Sequence, residues 1–569
     1  MPPHRRVALL DRDGTIVLDK VYLSDPDDLE FTAGAIEGLR LLRDAGFDLV
    51  LVTNQSGIAR KYFTVDALEK VHRRLVEMLA AEGLKFAAIY YCPHGPGDAC
   101  TCRKPSPGMI YAAQKELGFA AEEAVLIGDS DADMGAAAAA GIFSVRIGKG
   151  DSEARDFLSA ARIVVDKLGM KIDRLGKTTA QAELWLRDLA LPLAATAGFD
   201  AGVCAFQEQL NFDHSPVVSA PFRAMVQARQ ISVFADAALR GLYPHGRDLA
   251  LGAARRILKT HLAADGAPGW VFSIDRSGGV ADAKRDLYAH AFALYGLSWA
   301  LRLEQDPDFE GAIDATLAVI DGLFADPLRG GCWDALPRAD ALRRQNPHMH
   351  LFEAYIALYE VTGREDVLNR ARSLQRLAVE RFINLETGAL REYFDDTWQV
   401  YPAPGEGSVE PGHLFEWAWL LRRFEEVSGE DQTAVVGPLL RLALTAGLDQ
   451  HTGRIVDEIS EDGQLRSASS RSWPHAEALK ALALEAVHPQ SVLPERFDAD
   501  MVIAAILDRL CEKYCRSDLG GGWYDHLDPD DRPLSKVMPA STLYHIYFGM
   551  SAAHCYARRE KSPSLLVPI

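Results

Sequence analysis

One pattern dominates the chain beyond Lys177: a short glycine-containing connection, followed at once by an aromatic or aliphatic residue, returns at a nearly constant interval. It appears as GAPGW ending at Trp270, GGCW at Trp333, TGAL at Leu390, TGRI at Ile455 and GGGW at Trp523, spaced 63, 57, 65 and 68 residues apart. Amphipathic helical stretches fill this region, starting near residues 179, 221, 246, 287, 308, 346, 366, 412, 431, 473, 498 and 540, and they group into six pairs. A helix pair that recurs in this way cannot bury its apolar face alone, so each unit must pack on its neighbours. Six pairs suffice to close into an (α/α)6 barrel. An open superhelix is the competing arrangement, and periodicity alone does not choose between them.

Residues up to about 175 read differently. Short apolar or β-branched runs at Val7–Leu10, Leu49–Thr53, Ala87–Cys92, Ala124–Ile127 and Ser144–Ile147 alternate with helical stretches over Ala33–Ala45, Val65–Glu82, Pro107–Leu117 and Asp131–Ala140. That alternation gives a parallel sheet with helices on both faces, a Rossmann-like α/β arrangement. The expected organisation is therefore multidomain: an α/β domain over 1–175 and an all-α domain over 176–569. Length agrees, because 569 residues exceed what one core can hold.

Charge narrows the partners. With 61 basic and 80 acidic side chains the net charge is −19, which repels nucleic acid and anionic membrane surfaces. No stretch approaches the ~20 apolar residues of a membrane helix, and the first residues run into a strand without a signal-peptide pattern, so a cytoplasmic protein is expected. Eight cysteines are too few for a disulfide scaffold in a chain this long, but three crowd between Cys92 and Cys102, a spacing that suggests metal. Assembly into a homo-oligomer is left open.

Chemistry collects at the strand ends of the first half. The first strand runs into Asp11-Arg12-Asp13-Gly14-Thr15, two carboxylates one residue apart where open α/β sheets bind ligands. A lone DxD is weak evidence. Three further signals follow in order at strand ends: Thr53-Asn54, then Lys104 within RKP, then Asp129 and Asp133 within GDSDAD. The set resembles the haloacid dehalogenase superfamily. That resemblance implies that Asp11 attacks phosphorus to form an aspartyl-phosphate, while Asp13 acts as general acid and base. Thr53, Asn54, Gln55, Ser56, Arg103 and Lys104 would hold the phosphoryl group. Mg2+ would bind Asp11, Asp129 and the Asp13 carbonyl, oxygen ligands suited to a hard cation. Asp133 is either an outer support for that metal or a helix-start carboxylate.

Cys92, His94, Cys100 and Cys102 supply three thiolates and one imidazole on one loop, the ligand set of a closed, structural Zn2+ site. LDRDGT, TNQSGIAR, YYCPH and CRKPSPGM, over about residues 7–150, are similar to the heptose bisphosphate phosphatases and to their histidinol-phosphate phosphatase relatives. The five residues between His94 and Cys100 match the shorter zinc loop of the histidinol branch, so both substrates stay open. Only 40 residues separate Asp13 from Thr53, too few for a large cap domain.

In the second half, basic groups fall near the start of every second helix: Arg229, His290, His350, His413, His475 and His545, spaced 61, 60, 63, 62 and 70 residues apart. If those helices line a barrel, the groups converge on one end of its axis. Histidine suits proton transfer near neutral pH, since one ring can act as base while another acts as acid. QARQISVFA, RDLYAHAFAL, NPHMHLFEA, EPGHLFEW, RSWPHAEAL and LYHIYF resemble the N-acylglucosamine 2-epimerase family, which includes mannose and mannose-phosphate isomerases and cellobiose 2-epimerases. The resemblance covers residues 180–557 and implies an (α/α)6 barrel in which His413 and His545 form the acid/base pair. Arg229 and His350 would hold the sugar, Glu416 would orient His413 from i+3, and His290, Trp473 and Glu477 would contact substrate. His348, His475 and His451 are read as structural or surface residues. No nicotinamide or flavin is implied, and the second half is expected to carry no metal cluster.

The combined expectation is a bifunctional enzyme acting on sugars or sugar phosphates: a Mg2+-dependent phosphatase joined to an aldose–ketose isomerase or 2-epimerase. Arg223, Arg285 and Arg471 are the candidates for a cationic subsite if the barrel takes phosphorylated sugars. The contrasting reading makes the barrel a non-catalytic carbohydrate-binding scaffold.

Overall fold

The computed structural model describes residues 6–148, 153–167, 174–338, 340–403, 406–495 and 497–558. It divides into two compact units between Arg174 and Leu175.

The first unit is a five-stranded parallel sheet. β1 (Arg6–Leu10), β2 (Phe47–Asn54), β3 (Phe86–Cys92), β4 (Ala124–Gly128) and β5 (Phe143–Arg146) lie in the order β3-β2-β1-β4-β5. Central strands β1 and β4 are apolar almost without interruption because helices cover both faces. These helices are α1 (Ala35–Asp44), α2 (Val65–Ala81), α3 (Gly108–Leu117), α4 (Asp131–Ala140) and α5 (Phe157–Lys167). The last was not anticipated from the sequence. It packs on α1, where the Phe157 ring lies so close to Gly38 that an added Cβ would sit 2.5 Å from it. Chain order reverses at β1, whose neighbours are β2 on one side and β4 on the other, so a crevice opens at their carboxyl ends. No inserted cap domain is present among the described residues of this unit.

The second unit is a closed (α/α)6 barrel. Its inner helices are α8 (Ala224–Leu239), α10 (Leu287–Leu303), α12 (Gln345–Thr362), α14 (Pro411–Ser428), α16 (Ser472–Glu485) and α18 (Ala540–Ala557). Each packs on the next, and α18 packs back on α8, which excludes the open superhelix. Outside them lie α6 (Arg174–Trp185), continued by α7 (Leu191–Ala195), and α9 (Gly246–Thr260), α11 (Pro307–Val319), α13 (Glu365–Leu377), α15 (Thr433–Leu442) and α17 (Ala499–Arg509). Inner helices such as α10 are buried all round, whereas α13 buries only one stripe, Val367, Leu368, Ala371, Leu374 and Leu377. Two features escaped the sequence reading. Four outer helices, α11, α13, α15 and α17, end in a wide π-turn, as at Ile320–Phe324 and Leu510–Tyr514, and ribbons of two or three residues per strand join the helices.

The repeating glycine connection now has a physical cause. In α10, α12 and α16 the residue four positions beyond the N-cap is His290, His348 or His475. Its Nε2 accepts the backbone N–H of Trp270, Cys332 or Ile455 at 3.0, 2.9 and 3.2 Å. Its Nδ1 bonds the carbonyl oxygen of the cap residue itself, at 2.7, 2.9 and 2.8 Å. The connection must therefore approach the ring closely. Gly269 and Gly331 have φ of +92° and +70°, and a Cβ on Gly269 would lie 2.7 Å from His290 Nε2. In α8, Gln227 fills the same position and bonds both N–H and C=O of Phe206.

Candidate active sites

In the first unit, Asp11 follows β1 directly and Lys104 reaches it across the crevice: Lys104 Nζ is 2.6 Å from Asp11 Oδ1, 2.5 Å from Asp133 Oδ1 and 2.7 Å from the Val52 carbonyl. Lys104 is thus held between two carboxylates. Asp133 also takes hydrogen bonds from the Ser130 amide and hydroxyl at the start of α4, the place of a helix-start carboxylate, and in addition anchors the lysine. Carboxylate oxygens of Asp11, Asp129 and Asp133 lie within 4.8 Å of one another. Burial pushes the Asp11 carboxyl up to about 7 despite the opposing pull of Lys104, and burial together with Asp133 raises Asp129. Such a surplus of buried acid fits a hard divalent cation. Gly14, at φ +75°, passes so near that a Cβ would meet Asp129 Oδ2 at 2.2 Å.

The amide side chains expected to touch phosphate are committed elsewhere. Asn54 Nδ2 donates to the Lys104 carbonyl and its Oδ1 accepts the Lys104 amide, both at 3.0 Å. Gln55 Nε2 donates to Asp13 Oδ2 at 2.9 Å and to Thr53 Oγ1 at 2.8 Å, and its Oε1 accepts from Arg12. Buried Arg12 in turn holds Asp13 Oδ1 through Nε and Nη2. In this arrangement the Asn54 side chain positions Lys104, and Gln55 with Arg12 positions Asp13. Local pattern carries no signal for Arg12, because its partners are remote or lie inside the motif. Thr53 is buried, and Ser56 is half-buried at the head of the following loop.

Beside this crevice, Cys92, His94, Cys100 and Cys102 bring their ligand atoms within 4.8 Å of one another. The Cys92 and Cys102 sulfurs lie 3.5 and 3.3 Å from His94 Nδ1, and Cys92 Sγ lies 3.9 Å from Cys100 Sγ. A tetrahedron with ~2.3 Å metal–sulfur bonds has edges of about 3.8 Å, so the four residues fit a zinc ion. Arg103 Nη1 donates to the His94 carbonyl at 3.2 Å, which ties the catalytic loop to this cluster.

In the barrel, Arg229, His350, Glu477 and His545 occupy the sixth position beyond their N-caps, and Glu416 occupies it in α14. His413 lies one turn above Glu416. Three imidazoles are each held through Nδ1 by a carboxylate: His350 by Glu353 at 3.0 Å, His413 by Glu392 at 2.9 Å and His545 by Glu477 at 2.7 Å. Trp473 stands between the last two, its ring 5.0 Å from His413 and 5.8 Å from His545. Arg229 donates to the Tyr288 hydroxyl at 2.7 Å and lies 4.2 Å from the centre of the Phe292 ring.

The two histidines flanking Trp473 are driven to opposite charge states. Burial favours a neutral His413, but Glu392 and Glu410 outweigh it and hold the ring up at about 10. Burial, reinforced by Arg229 and Lys480, pushes His545 well below the usual imidazole range. His350 is likewise pushed down to about 4 by burial, in spite of Glu353. Buried Glu416 is raised by desolvation and by Glu477, and Lys480 Nζ lies 2.6 Å from Glu477.

Three expectations change. His290 is fully buried with both ring nitrogens on backbone, so it holds the glycine connection. Glu416 does not orient His413; its Oε1 lies 3.8 Å from His350 Nδ1, and Glu392 takes the assigned role. Glu477 is fully buried against His545 and Lys480, so it holds His545 in place. Glu392 and Gln345, whose Nε2 is 2.9 Å from Glu392 Oε2, were missed because they lie outside the histidine repeat. The fold also gathers His350, Glu353 and Glu416, and Glu416, Glu477 and His545, into metal-sized groups that the sequence did not foreshadow; the Lys480 ammonium already supplies positive charge there.

The N-acylglucosamine 2-epimerase family model matches residues 205–549. The chain belongs to this family. A HAD-hydrolase-like model matches residues 101–170 ahead of the epimerase-family barrel. The chain is 34% identical over 367 residues to a mannose-6-phosphate isomerase of Rhizobium meliloti (strain 1021), covering 64% of this chain and 93% of that protein. It is 42% identical over 130 residues to a D-glycero-beta-D-manno-heptose-1,7-bisphosphate 7-phosphatase of Helicobacter pylori (strain ATCC 700392 / 26695), 23% of this chain and 75% of that one. A cellobiose 2-epimerase structure from Spirochaeta thermophila DSM 6192 superposes with a TM-score of 0.59 and 22% identity over 68% of this chain and 98% of that chain, a likeness of fold. The epimerase-family barrel is thus fused to a phosphatase region of the haloacid dehalogenase type, and the chain is an enzyme. Among the described residues no helix is long and apolar enough to cross a membrane.

Proposed function

We propose that the chain is a bifunctional sugar-phosphate enzyme: a phosphatase working through an aspartyl-phosphate, and a histidine acid/base isomerase or 2-epimerase for mannose-type sugars or their phosphates. The observation that carries the second activity is the pair His413 and His545, set on either side of Trp473 and driven to opposite protonation. Two titratable groups whose surroundings push them apart make an acid and a base. Neutral His545 removes the proton beside the sugar carbonyl, and the His413 imidazolium supplies one to the developing oxyanion. Arg229 and His350 bind hydroxyl groups. The mannose-6-phosphate isomerase to which the barrel is similar supports this substrate class.

In the phosphatase, Asp11 attacks phosphorus and Asp13, held by Arg12 and Gln55, protonates the leaving oxygen and then activates water. Lys104 offsets the charge of transfer. Mg2+, bound by Asp11, Asp129 and the Asp13 carbonyl, would neutralise phosphoryl oxygens, and a zinc ion on the cysteine cluster would fix the loop that carries Arg103 and Lys104. The similar Helicobacter protein points to a heptose bisphosphate or a related sugar phosphate.

The test uses the whole chain. Phosphate release is measured on heptose bisphosphate and histidinol phosphate, and deuterium uptake at C2 on mannose, mannose 6-phosphate and sedoheptulose 7-phosphate. Turnover of a sugar bisphosphate and C2 exchange on at least one sugar are expected. Exchange on none would refute the barrel's assignment, and hydrolysis confined to histidinol phosphate would refute the sugar-phosphate assignment of the first unit.

A further inference from the structure

The six inner helices start at one rim of the barrel, with Arg223, Asp286, Arg344, Glu410, Arg471 and Pro539 at their N-caps. Helix N-termini favour anions, so this rim is the natural place for an acidic substituent. Its arginines differ in how far they are committed. Arg223 is held by buried Glu208, Nε to Oε1 at 2.5 Å. Arg344 bridges Asp334 at 2.9 Å and Asp340 at 2.7 Å. Arg285, next to a cap, is buried on Asp265 and on the carbonyls of Pro268, Ala267 and Ala283. Arg471 is different. Its side chain is 39% exposed, the carboxylate paired with it, Glu410, is 3.5 Å away, and its guanidinium makes no hydrogen bond among the described residues.

We propose that Arg471 is the specificity residue of the barrel, gripping the phosphate of a phosphorylated aldose or ketose whose reacting end lies between His413 and His545. The proposal rests on the isomerase reading above and deepens it. Arg471 caps α16, and Trp473, two residues on, is the ring both histidines flank. Glu477, which holds His545, lies six residues below the cap, a rise of about 9 Å along the axis. A guanidinium fork fits phosphate oxygens bidentately, and Arg471 breaks no hydrogen bond in turning from Glu410 to do so. A bound phosphate would displace Glu410, which lies 3.5 Å from the guanidinium.

The test compares kcat/KM for C2 deuterium uptake on mannose 6-phosphate and on mannose. It uses the full-length chain with magnesium omitted, so that the phosphatase half stays idle. Wild type is expected to prefer the phosphate. In Arg471→Met the preference should fall by about ten- to a hundredfold, the loss of a hydrogen bond to a charged group, and mainly through KM. Arg471→Lys should restore part of it. A wild type without preference, a ratio unchanged in Arg471→Met, or equal losses on both sugars, the mark of a structural role, would overturn the proposal. A wild type inactive on both sugars would overturn the isomerase reading instead, so the two failures are distinguishable.

Discussion

Glu392→Gln is the sharpest test of the barrel chemistry, because it alters one charge and almost no volume. Glu392 Oε1 lies 2.9 Å from His413 Nδ1, and its other oxygen is held by Gln345. His413 is buried, so losing a charge-assisted partner there costs about 1.5–3 kcal/mol of imidazolium stability. At about 1.4 kcal/mol per unit this lowers the His413 pKa by about one to two units, from about 10 in the wild type. The group required as acid is the protonated ring, so activity falls as pH rises through this value. His545, the base, is pushed far below the usual range and governs the acid side. The expected wild-type profile of kcat/KM is a broad plateau across neutral pH, since this quantity reports the free enzyme. In Glu392→Gln the alkaline limb should move down by one to two units while the acid limb stays in place. The same linkage bears on stability. His413 is raised above its unfolded value of about 6.5, so its contribution is complete below that pH and is lost as pH climbs through about 10. The variant should therefore lose part of its stability advantage near neutrality. C2 deuterium uptake measured from about pH 6 upward, with thermal melts alongside, supplies both readouts. A folded Glu392→Gln protein whose alkaline limb coincides with wild type would show that His413 is not the titrating acid or that Glu392 does not control it.

Other predictions address the remaining assignments. Asp11→Asn should cut phosphate release by at least about a thousandfold, the usual consequence of removing a nucleophile; a loss under tenfold would point to another attacking group. Cys100→Ser should drop the zinc content, read by elemental mass spectrometry, from one ion per chain toward zero and lower the melting point of the phosphatase unit. Full zinc retention would remove Cys100 from the ligand set. His290→Phe leaves the Trp270 amide unpaired in the core, so stability should fall by about 1–3 kcal/mol while KM for sugar stays close to wild type. A raised KM without a melting shift would return His290 to the substrate site.

The phosphatase site was legible because its parts are short motifs pinned to strand ends. Asp11, Thr53 and Asp129 each end or follow a strand, and parallel pairing in the order β3-β2-β1-β4-β5 brings those ends together; Lys104, expected at a strand end, instead reaches them from the loop between β3 and α3. Polar pairings across the crevice were not legible. That Asn54 is spent on the Lys104 backbone, and Gln55 on Asp13, depends on contacts 50 and 42 residues apart in sequence, which local pattern does not encode. The barrel's helix starts were readable for a similar local reason, since an inner helix is apolar all round and an outer one striped. Its ribbons are two or three residues long, too short to leave a period.

The histidine repeat shows where such reading stops. Its spacing identifies which helices face the axis, yet it varies by several residues from unit to unit, while function turns on an offset of two. Two residues along a helix rotate a side chain by about 200° and advance it about 3 Å. Position four from the N-cap faces the incoming connection, and position six faces the axis. α12 carries both: His348 clamps the Cys332 amide, whereas His350 pairs with Glu353 beside Arg229 and Tyr288. His413, at position three, shares the face of position six because they are one turn apart. Histidine serves the clamp because a buried neutral ring donates from one nitrogen and accepts at the other. The adjoining layer needs the same residue for proton transfer. Carboxylates separate the two layers: Glu353, Glu392 and Glu477 hold the inner rings through Nδ1, while the clamp rings bond the cap carbonyl there. Among these six rings, therefore, the partner of Nδ1 tells the layer: a carboxylate in the inner one, the cap carbonyl in the clamp.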